Sequence, residues 1–305
     1  MKVLTRLGLL RAAIDPNPFK MLRKAFAGEA EVSSKHAAGL ALDILEANGQ
    51  GEIVLLDRHG HPVHVATRDK VIAASLIQRG EYGHALMQRL TETLHAISLR
   101  PADLLLVNVG ANIGTTCLNA HAAGFRRFLA YEPDALNFAL LTKNLADLAD
   151  AEVTLLNVAA GAAAETRTFY RHARNLGSHT FVPPPGWRQS AASEIGVERL
   201  AGRLPPATPF VLVIDTEGFE PAVIAGAEAE IMADCRAIAL ELTPDRYTPA
   251  DVAYLTATLA RFAADFVHVQ EGRSYAIERL GDLVGRPRQP QFDAILVHRK
   301  WVTAR

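Results

Sequence analysis

Cysteine, long apolar runs and an excess of one charge are all scarce in this sequence. Two cysteines among 305 residues, Cys117 and Cys235, are too few for a disulfide-stapled fold and suit a reducing compartment. We find no signal peptide and no apolar run long enough to span a bilayer, so we expect a cytoplasmic protein without stable membrane insertion. The 32 Lys and Arg residues against 33 Asp and Glu leave a net charge of −1, which argues against a nucleic-acid partner.

The composition supports one large α/β domain with an N-terminal addition, since 49% of the residues are hydrophobic. We divide the chain into an N-terminal region, residues 1–100, and a domain of residues 101–305. The N-terminal region combines helical patterns with a hairpin and suits a cap over the substrate cleft or a homodimer interface. Residues 1–29 are basic and amphipathic. They fit either a membrane-surface or partner-binding helix, or an arm packed on its own domain or on a second subunit.

Three histidines, His59, His61 and His64, cluster in the predicted hairpin. A metal site is one interpretation, because imidazole is a frequent zinc ligand. No fourth ligand lies nearby in the sequence, however, and His61 and His64 should point to opposite faces of a strand. We therefore predict that the protein binds no metal.

Residues 104–114, with the sequence LLLVNVGANIG, predict a buried strand that ends in a glycine-rich turn. Residues 113–123 contain no proline and only one glycine, and their composition is helical. Strand, glycine turn and helix together place a nucleotide-like ligand at the start of the helix. The glycines permit a tight turn and close approach of the backbone to that ligand.

Glu132 lies about 20 residues beyond this turn, at the end of the next predicted strand. A carboxylate there has enough lone pairs to accept both hydroxyl groups of a ribose. The turn reads G-x-N-x-G, which lacks the dense glycine cluster that cradles a pyrophosphate. It suits a ligand with a ribose but no pyrophosphate, such as S-adenosylmethionine.

Strands and helices alternate through the rest of the chain, which predicts a mostly parallel sheet. Further strands are predicted at residues 153–158, 210–214, 237–242, 266–270 and 292–298. Residues 171–193 are polar and irregular, and we interpret them as a lid or substrate loop. His179 in this loop is a candidate mobile base, although a plain exposed histidine fits equally well.

Ligands of open α/β sheets bind beyond the carboxyl ends of the strands, where polar residues are therefore candidates for function. Asp215 and Glu217 follow the strand at 210–214 and are the natural base or substrate-orienting carboxylates. The alternative for Glu217 or Glu220 is capping of the next helix. Glu241 ends another strand and could equally be a buried carboxylate satisfied by backbone donors.

Four segments of the sequence resemble the FkbM family of S-adenosylmethionine-dependent methyltransferases. They are VNVGANIG (107–114), YEP (131–133), LLTKNL (140–145) and VIDTEGFEPAVIAGA (213–227). The resemblance covers roughly residues 80 to 300 and pairs G-A-N-x-G with I-D-x-E-G. It implies a class I methyltransferase fold, which is Rossmann-like, with a seven-stranded sheet whose last strand is antiparallel. It also implies O-methylation, often of sugars or secondary metabolites.

Carried over by position, the glycine turn would contact the methionine part of S-adenosylmethionine and Glu132 its ribose. The predicted cofactor contacts are Asn108, Gly110, Asn112, Gly114, Glu132, Pro133, Asn157, Val158 and Asp215. Asp215, Glu217 and His179 are the predicted catalytic residues, and Asn175 and Ser178 the predicted substrate contacts. Two residues depart from the family pattern. Asn108 stands where Asp is usual, and Val213 stands where Lys is frequent.

Two other classes of function remain open besides a methyltransferase. A non-catalytic binding or scaffold protein could retain the fold, and the uncharged Asn108 allows this. A nicotinamide-dependent oxidoreductase is disfavoured, because the third glycine of the dinucleotide pattern is missing. The acceptor of a methyltransferase would be a small molecule or a glycan.

Overall fold

The structure, a computed structural model, describes most of the chain. It covers residues 34–184, 186–187, 189–286 and 289–302. The basic segment predicted within residues 1–29 lies outside this part. Within the part described, no helix has the length and apolar character needed to cross a bilayer.

Two compact units make up the described residues. The first comprises residues 34–82 and 173–177, and the second comprises residues 83–172 and 178–302. The chain therefore leaves the second unit after His172 and returns to it at Ser178. The predicted division into residues 1–100 and 101–305 stays a prediction.

The first unit contains two helices and the predicted hairpin. Its elements are α1 (Ser34–Ala47), β1 (Glu52–Leu56), β2 (Pro62–Ala66) and α2 (Ile72–Arg79). The two strands pair antiparallel around the turn that the sequence predicts. The buried carboxylate of Asp69 accepts hydrogen bonds from the backbone N–H groups of Val71, Ile72 and Leu176. It thereby holds residues 173–177 within this unit.

One eight-stranded sheet is the centre of the second unit. Its strands are β3 (Leu105–Val109), β4 (Arg127–Tyr131), β5 (Glu152–Leu156), β9 (Phe210–Ile214), β10 (Cys235–Leu242), β11 (Asp265–His268), β12 (Arg273–Ala276) and β13 (Phe292–Val297). They lie in the order β12-β11-β13-β10-β9-β3-β4-β5. Five neighbouring strands of this sheet, β10, β9, β3, β4 and β5, are parallel, and β13 is antiparallel to β10.

This topology confirms the mostly parallel sheet and the antiparallel last strand, but it corrects the strand count. The predicted sheet has seven strands, whereas β12 adds an eighth at the edge and pairs antiparallel with β11. The chain after β11 folds back at Gly272, whose φ of +64° suits glycine. The polar connection between the last two predicted strands is therefore partly a hairpin.

The middle of the sheet forms the core. All five residues of β3 and all five of β9 are buried, as expected for parallel strands covered on both faces. Their apolar runs are the strongest strand signals in the sequence. The two strands pair directly, Val109 opposite Ile214, so the segments that follow them emerge side by side.

Helices follow or flank the strands of the second unit. They are α3 (His84–Ala96), α4 (Thr115–Ala122), α5 (Ala135–Leu145), α6 (Glu220–Ala225), α7 (Glu228–Asp234), α8 (Pro249–Phe262), α9 (Arg279–Val284) and α10 (Arg299–Val302). Asp134 caps α5 by accepting hydrogen bonds from the N–H groups of Leu136 and Asn137. Thr248 and Asp251 form a reciprocal capping box at the start of α8.

A second, smaller sheet lies in the same unit. It contains β6 (Ala159–Gly161), β7 (Glu165–His172) and β8 (Gln189–Arg199) in the order β6-β8-β7. This corrects the prediction that residues 171–193 are irregular throughout, because both ends of that segment are strand. The backbone pairing of β7 with β8 stabilises these ends although most of their side chains are exposed.

Candidate active site

The glycine turn after β3 brings the backbone of two loops into direct contact. Gly110 and Gly114 have φ values of +84° and +91°, and Asn112 between them has +51°. A Cβ atom added to Gly110 would lie 1.8 Å from the carbonyl oxygen of Asp215. The Asp215 N–H in turn donates to the Val109 carbonyl oxygen at 3.0 Å. Only glycine at position 110 lets the loop after β9 approach this closely.

Glu132, at the end of β4, returns to the turn as the spacing predicts. Its Oε2 accepts a hydrogen bond from the N–H of Asn112 at 2.8 Å, and its Oε1 accepts one from the N–H of Asp134 at 2.8 Å. The side chain is only 4% exposed, and burial raises its pKa to about 8. The Asn137 side chain donates a third hydrogen bond to this carboxylate, which has about four acceptor positions, so one position is left for a ribose hydroxyl.

Asn112 supplies the clearest sign that this turn fits a polar ligand. Its side-chain Oδ1 is buried and has no hydrogen-bond partner in the structure. Buried polar atoms in native proteins are nearly always paired, so an unpaired oxygen needs an explanation. A bound donor group, such as the amino group of the expected S-adenosylmethionine, would satisfy it. Together with Glu132, the turn fits that cofactor.

Asn108 lies within β3 rather than in the turn. It is 1% exposed, and its Nδ2 lies 3.6 Å from the Cys117 sulfur, to which it donates. Burial raises the pKa of the Cys117 thiol to about 11, against the smaller opposing effect of Asn108. In this position the Asn108 side chain supports α4 behind the turn, and its contact with the cofactor stays a prediction.

The end of β5 holds the end of β4 in place. The Nδ2 group of Asn157 donates to the Glu132 carbonyl oxygen at 2.8 Å and approaches that of Pro133 at 3.3 Å. Val158 follows and is half-buried. The structure thus gathers Glu132, Pro133, Asn157 and Val158 at one end of the sheet. Asn157 positions the backbone that carries the Glu132 carboxylate.

Three carboxyl groups meet at the carboxyl ends of β9 and β10, next to the glycine turn. They belong to Asp215, Glu217 and Glu241, and one oxygen of each lies within 4.8 Å of the others. The register of the two strands, Ile214 opposite Leu240, brings Asp215 and Glu241 together. Glu241, which the sequence leaves open as a buried carboxylate, therefore joins the two predicted catalytic residues.

Asp215 is open to solvent, yet protein surrounds it closely enough to perturb its ionisation. Burial raises its pKa well above the ordinary value, and the negative charges of Glu217 and Asp293 act in the same direction. The side chain is exposed, and its carboxyl group lies near those of Glu217 and Glu241. Asp215 can therefore meet a small molecule that enters beside the glycine turn.

Glu217 is buried and held by a set of specific contacts. The side chains of Glu217 and Arg246 form an ion pair of 2.8 Å, and each is more than nine-tenths buried. Arg246 Nη1 and Thr180 Oγ1 also donate to the Glu217 carbonyl oxygen, at 2.7 and 2.6 Å. Burial raises the pKa of Glu217 to about 7, although Arg246 and a hydrogen bond from Ser178 lower it. The sequence gives no local signal for Arg246.

The backbone of Glu217 is left-handed, with a φ of +56°, which is uncommon for a residue with a side chain. Glu220 stabilises this turn. It is fully buried, and its carboxylate accepts hydrogen bonds from the N–H groups of Thr216 and Gly218 and from the Tyr247 hydroxyl. Neither glutamate caps α6, which has no side-chain cap hydrogen bond: Glu220 holds the turn before the helix, and Glu217 pairs with Arg246.

His179 is 7% exposed and is not a free surface side chain. Its Nδ1 accepts a hydrogen bond from the His172 N–H at 3.0 Å. A neutral imidazole whose Nδ1 accepts carries its proton on Nε2. This arrangement favours a donor role for His179, and its catalytic role stays a prediction.

The two predicted substrate contacts fall in different units. Ser178 belongs to the second unit and hydrogen-bonds the Glu217 side chain. Asn175 belongs to the first unit, where its Oδ1 accepts a hydrogen bond from the Gly177 N–H at 3.1 Å. The structure thus places Ser178 beside a predicted catalytic carboxylate. The role of Asn175 stays a prediction.

Carboxylates at the spacing of Asp215, Glu217 and Glu241 are the ligand type of hard divalent cations. The Arg246 ion pair argues against assigning a cation, because Arg246 already neutralises Glu217. We assign no metal, and the predicted absence of a metal site stays a prediction.

Comparison with known proteins gives one family and a set of structural neighbours. A family model described as the methyltransferase FkbM domain matches residues 108–269. One neighbour is methyltransferase FkbM from Methylobacillus flagellatus KT, with 15% identity, coverage of 73% of this chain and 54% of that chain, and a TM-score of 0.39. Another is a human methyltransferase 10 domain containing protein, with 11% identity, coverage of 88% and 99%, and a TM-score of 0.42.

The N-terminal domain of human METTL16 in complex with SAH is a further neighbour, with 11% identity, coverage of 80% and 88%, and a TM-score of 0.39. The chain spans about half the length of the Methylobacillus protein. No curated protein matches the sequence.

The family match covers more than half of the chain, from Asn108 in β3 to the residue after β11. It includes the glycine turn, Glu132 and the three carboxyl groups beyond β9 and β10. The chain therefore belongs to the methyltransferase FkbM domain family of S-adenosylmethionine-dependent enzymes.

Proposed function

We propose that this methyltransferase acts on a hydroxyl group, on a sugar, a glycan or a secondary metabolite. The observation that carries the proposal is the position of Asp215. Its carboxylate is exposed to solvent, and its backbone touches the glycine turn through Gly110 and Val109. A hydroxyl group that approaches from solvent therefore meets a carboxylate of raised pKa next to the cofactor turn.

The cofactor supplies a methyl group that is already activated for transfer. The protein must align the acceptor oxygen with that methyl group and help to remove the hydroxyl proton. We assign proton removal to Asp215, because a carboxylate whose pKa is raised is the stronger base. Glu217 is assigned to orienting the acceptor, since Arg246 and Ser178 fix its carboxylate. Asn112 and Glu132 are assigned to holding the cofactor.

Calorimetric titration with S-adenosylmethionine, with NAD as the comparison, tests the cofactor part of the proposal. We expect the first alone to bind, and we expect Glu132→Ala to weaken it. Asn112→Ala is a milder variant, since it removes a neutral carboxamide whose Oδ1 has no partner in the structure. Its affinity should fall about fivefold, the value of one hydrogen bond of about 1 kcal/mol. Glu228→Ala, on α7, is the matched control and should bind like the wild type.

Binding of NAD alone would support an oxidoreductase instead, and binding of neither would support the scaffold alternative. Once the cofactor binds, a panel of neutral sugars and polyols tests the acceptor class through the mass of the product. Transfer only to amines would contradict the hydroxyl proposal. Asp215→Asn should then abolish transfer while S-adenosylmethionine still binds.

The remaining predictions about the whole protein are proposals as well. We propose that the N-terminal region caps the substrate cleft or forms a homodimer, and that the protein is cytoplasmic. We also propose that it inserts into no membrane and binds no nucleic acid. Deleting residues 1–30 and measuring the mass in solution tests the dimer, since an unchanged mass would contradict an interface made by that segment.

A further inference from the structure

Glu241 and Asp215 are held together by the sheet itself. β9 and β10 are parallel neighbours, and Leu240 lies opposite Ile214. Glu241 is the next residue of β10 and Asp215 directly follows β9, and an oxygen of each lies within 4.8 Å of the other. The pairing of two central strands therefore brings the two residues side by side.

Two carboxyl groups this close cannot both be ionised without strong repulsion, so the pair holds one proton. Glu241 is half-buried and Asp215 is exposed, so the less solvated Glu241 is the group that keeps the proton and can donate it to Asp215. Gln291 indicates which Glu241 oxygen carries the proton. Its Nε2 donates to Glu241 Oε1 at 2.9 Å, which favours Oε1 as the carbonyl oxygen and leaves Oε2 for the proton.

The charges around the pair also favour the shared proton. Asp293 lies opposite Glu241 in the pairing of β10 with β13, and it accepts a hydrogen bond from Gln270. Glu217 and Glu220 contribute further negative charge near Asp215, and Arg246 is engaged by Glu217. A second negative charge on the pair would therefore be strongly disfavoured.

We propose that Glu241 is a positioning residue, which donates its carboxyl proton to Asp215 and so keeps one Asp215 oxygen ionised and oriented toward the acceptor hydroxyl. The proposal rests on the proposed hydroxyl methylation. In the transfer step the acceptor oxygen forms its bond to the methyl carbon as the carbon–sulfur bond breaks. The hydroxyl proton passes to Asp215, Glu241 keeps its own proton, and Asp215 later releases the extra proton to solvent.

The pair also selects among acceptors. A singly ionised pair presents an acceptor oxygen to the hydroxyl proton, while the surrounding carboxylates of Glu217 and Asp293 repel negative charge. An acceptor that carries a phosphate or carboxylate near its reacting hydroxyl would meet this repulsion. The pair therefore fits a neutral polyhydroxyl acceptor.

Infrared spectroscopy of the protein without added ligand tests the shared proton directly. At about pH 9.5, the carboxyl groups of Glu132, Glu217 and Asp293 are ionised, since burial raises their pKa values only to about 8, 7 and 6. Burial raises the pKa of Glu241 to about 11, so its protonated carbonyl band should persist. The band should shift in deuterated water and vanish in Glu241→Gln, while Glu228→Gln keeps it.

A second variant keeps the test decisive if Glu241→Gln does not fold. Gln291 is exposed, so Gln291→Ala should fold and remove only the donor to Glu241 Oε1. The carbonyl band should then move to higher frequency. A wild type without the band, or a band unchanged in Gln291→Ala, would overturn the proposal. These readouts do not depend on methyl transfer, so they separate failure of the pair from failure of the proposed function.

Kinetics with any acceptor that the wild type methylates test the positioning role. Gln can donate an N–H to Asp215 in place of the acid O–H, so Glu241→Gln should keep kcat within about threefold. Glu241→Ala removes the donor and should lower kcat about tenfold or more. This loss is smaller than the loss of about 100-fold or more that is usual when the base itself is removed. Equal kcat values in the two variants would contradict a role for the donated proton.

Discussion

The buried carboxyl group of Glu132 should make the protein less stable as the pH rises. Burial raises its pKa from 4.5 to about 8 in the folded chain, although the N–H groups of Asp134 and Asn112 oppose this. In the unfolded chain the pKa returns to its ordinary value, so the folded state holds the proton more tightly. The resulting stabilisation is complete below about pH 4.5 and is lost as the pH rises through about 8.

The two pKa values set the size of this effect. They differ by about 3.5, and at about 1.4 kcal/mol for each pKa unit the full effect is about 5 kcal/mol. Between about pH 5 and about pH 8.5 the free energy of unfolding should fall by about 4 kcal/mol. This is less than the full effect, because Glu132 is partly ionised in the unfolded chain at about pH 5 and partly protonated in the folded chain at about pH 8.5. That is a large share of the stability of a typical domain, which is about 5–15 kcal/mol.

Urea unfolding of the wild type and of Glu132→Gln at these two pH values measures the effect. Because the variant cannot ionise at position 132, the wild type should lose about 4 kcal/mol more than the variant. Gln also turns an N–H donor toward one of the two backbone N–H groups. The variant should therefore be less stable at low pH, by about 1–3 kcal/mol, and the order should reverse at high pH.

Glu228→Gln is the matched control, because it makes the same acid-to-amide change at a half-buried glutamate, which pairs with Arg261 and accepts a hydrogen bond from the Tyr254 hydroxyl. It should show the pH dependence of the wild type. The comparison cancels the other carboxyl groups, including Glu217 and Asp293, since they are present in every protein measured. Equal pH dependences in the wild type and in Glu132→Gln would refute the reasoning, because Glu132 would then titrate alike in the folded and unfolded chain.

Two further predictions concern the turns around the site. Gly110→Ala places a Cβ 1.8 Å from a backbone oxygen and should cost more than about 4 kcal/mol in urea unfolding, whereas Gly60→Ala, with the same φ of +84° and open space, should cost about 1–2 kcal/mol. Similar losses would contradict the packing argument. Arg246→Met leaves the Glu217 carboxylate buried without its cation, so it should raise the pKa of Glu217 and cost about 3–5 kcal/mol at about pH 9. The loss should be smaller at about pH 5, and a loss independent of pH would indicate packing instead of charge.

Local patterns in the sequence predict the central strands well and the peripheral ones poorly. β9 has the predicted bounds, Phe210–Ile214, because five apolar residues stand between Pro209 and Asp215. β8 is not predicted, since most of its residues are small or polar and exposed and only Val197 is fully buried. Backbone pairing with β7 stabilises this strand. Because neither face of β8 is buried along its length, its sequence has no alternation of apolar and polar residues that would predict a strand.

The candidate site divides in the same way. Glu132 reaches the glycine turn as its spacing predicts, because both follow adjacent parallel strands. Glu241 meets Asp215 only because β10 lies beside β9, which depends on strand order. Arg246 meets Glu217 through the turn after β10, and nothing in its local sequence marks it as a partner.

Residues 173–177 belong to the first unit although they follow β7 in the sequence, and this affects when the first unit can fold during synthesis. Arg174 pairs with Asp43, 131 residues earlier in the sequence, and the Leu176 N–H completes the hydrogen bonds of Asp69. During synthesis the first unit must wait for the strands β3 to β7 before it receives its last contacts. A fragment cut after Tyr82 would lack them, so we expect the first unit to reach its final stability late and not to fold as an autonomous N-terminal domain.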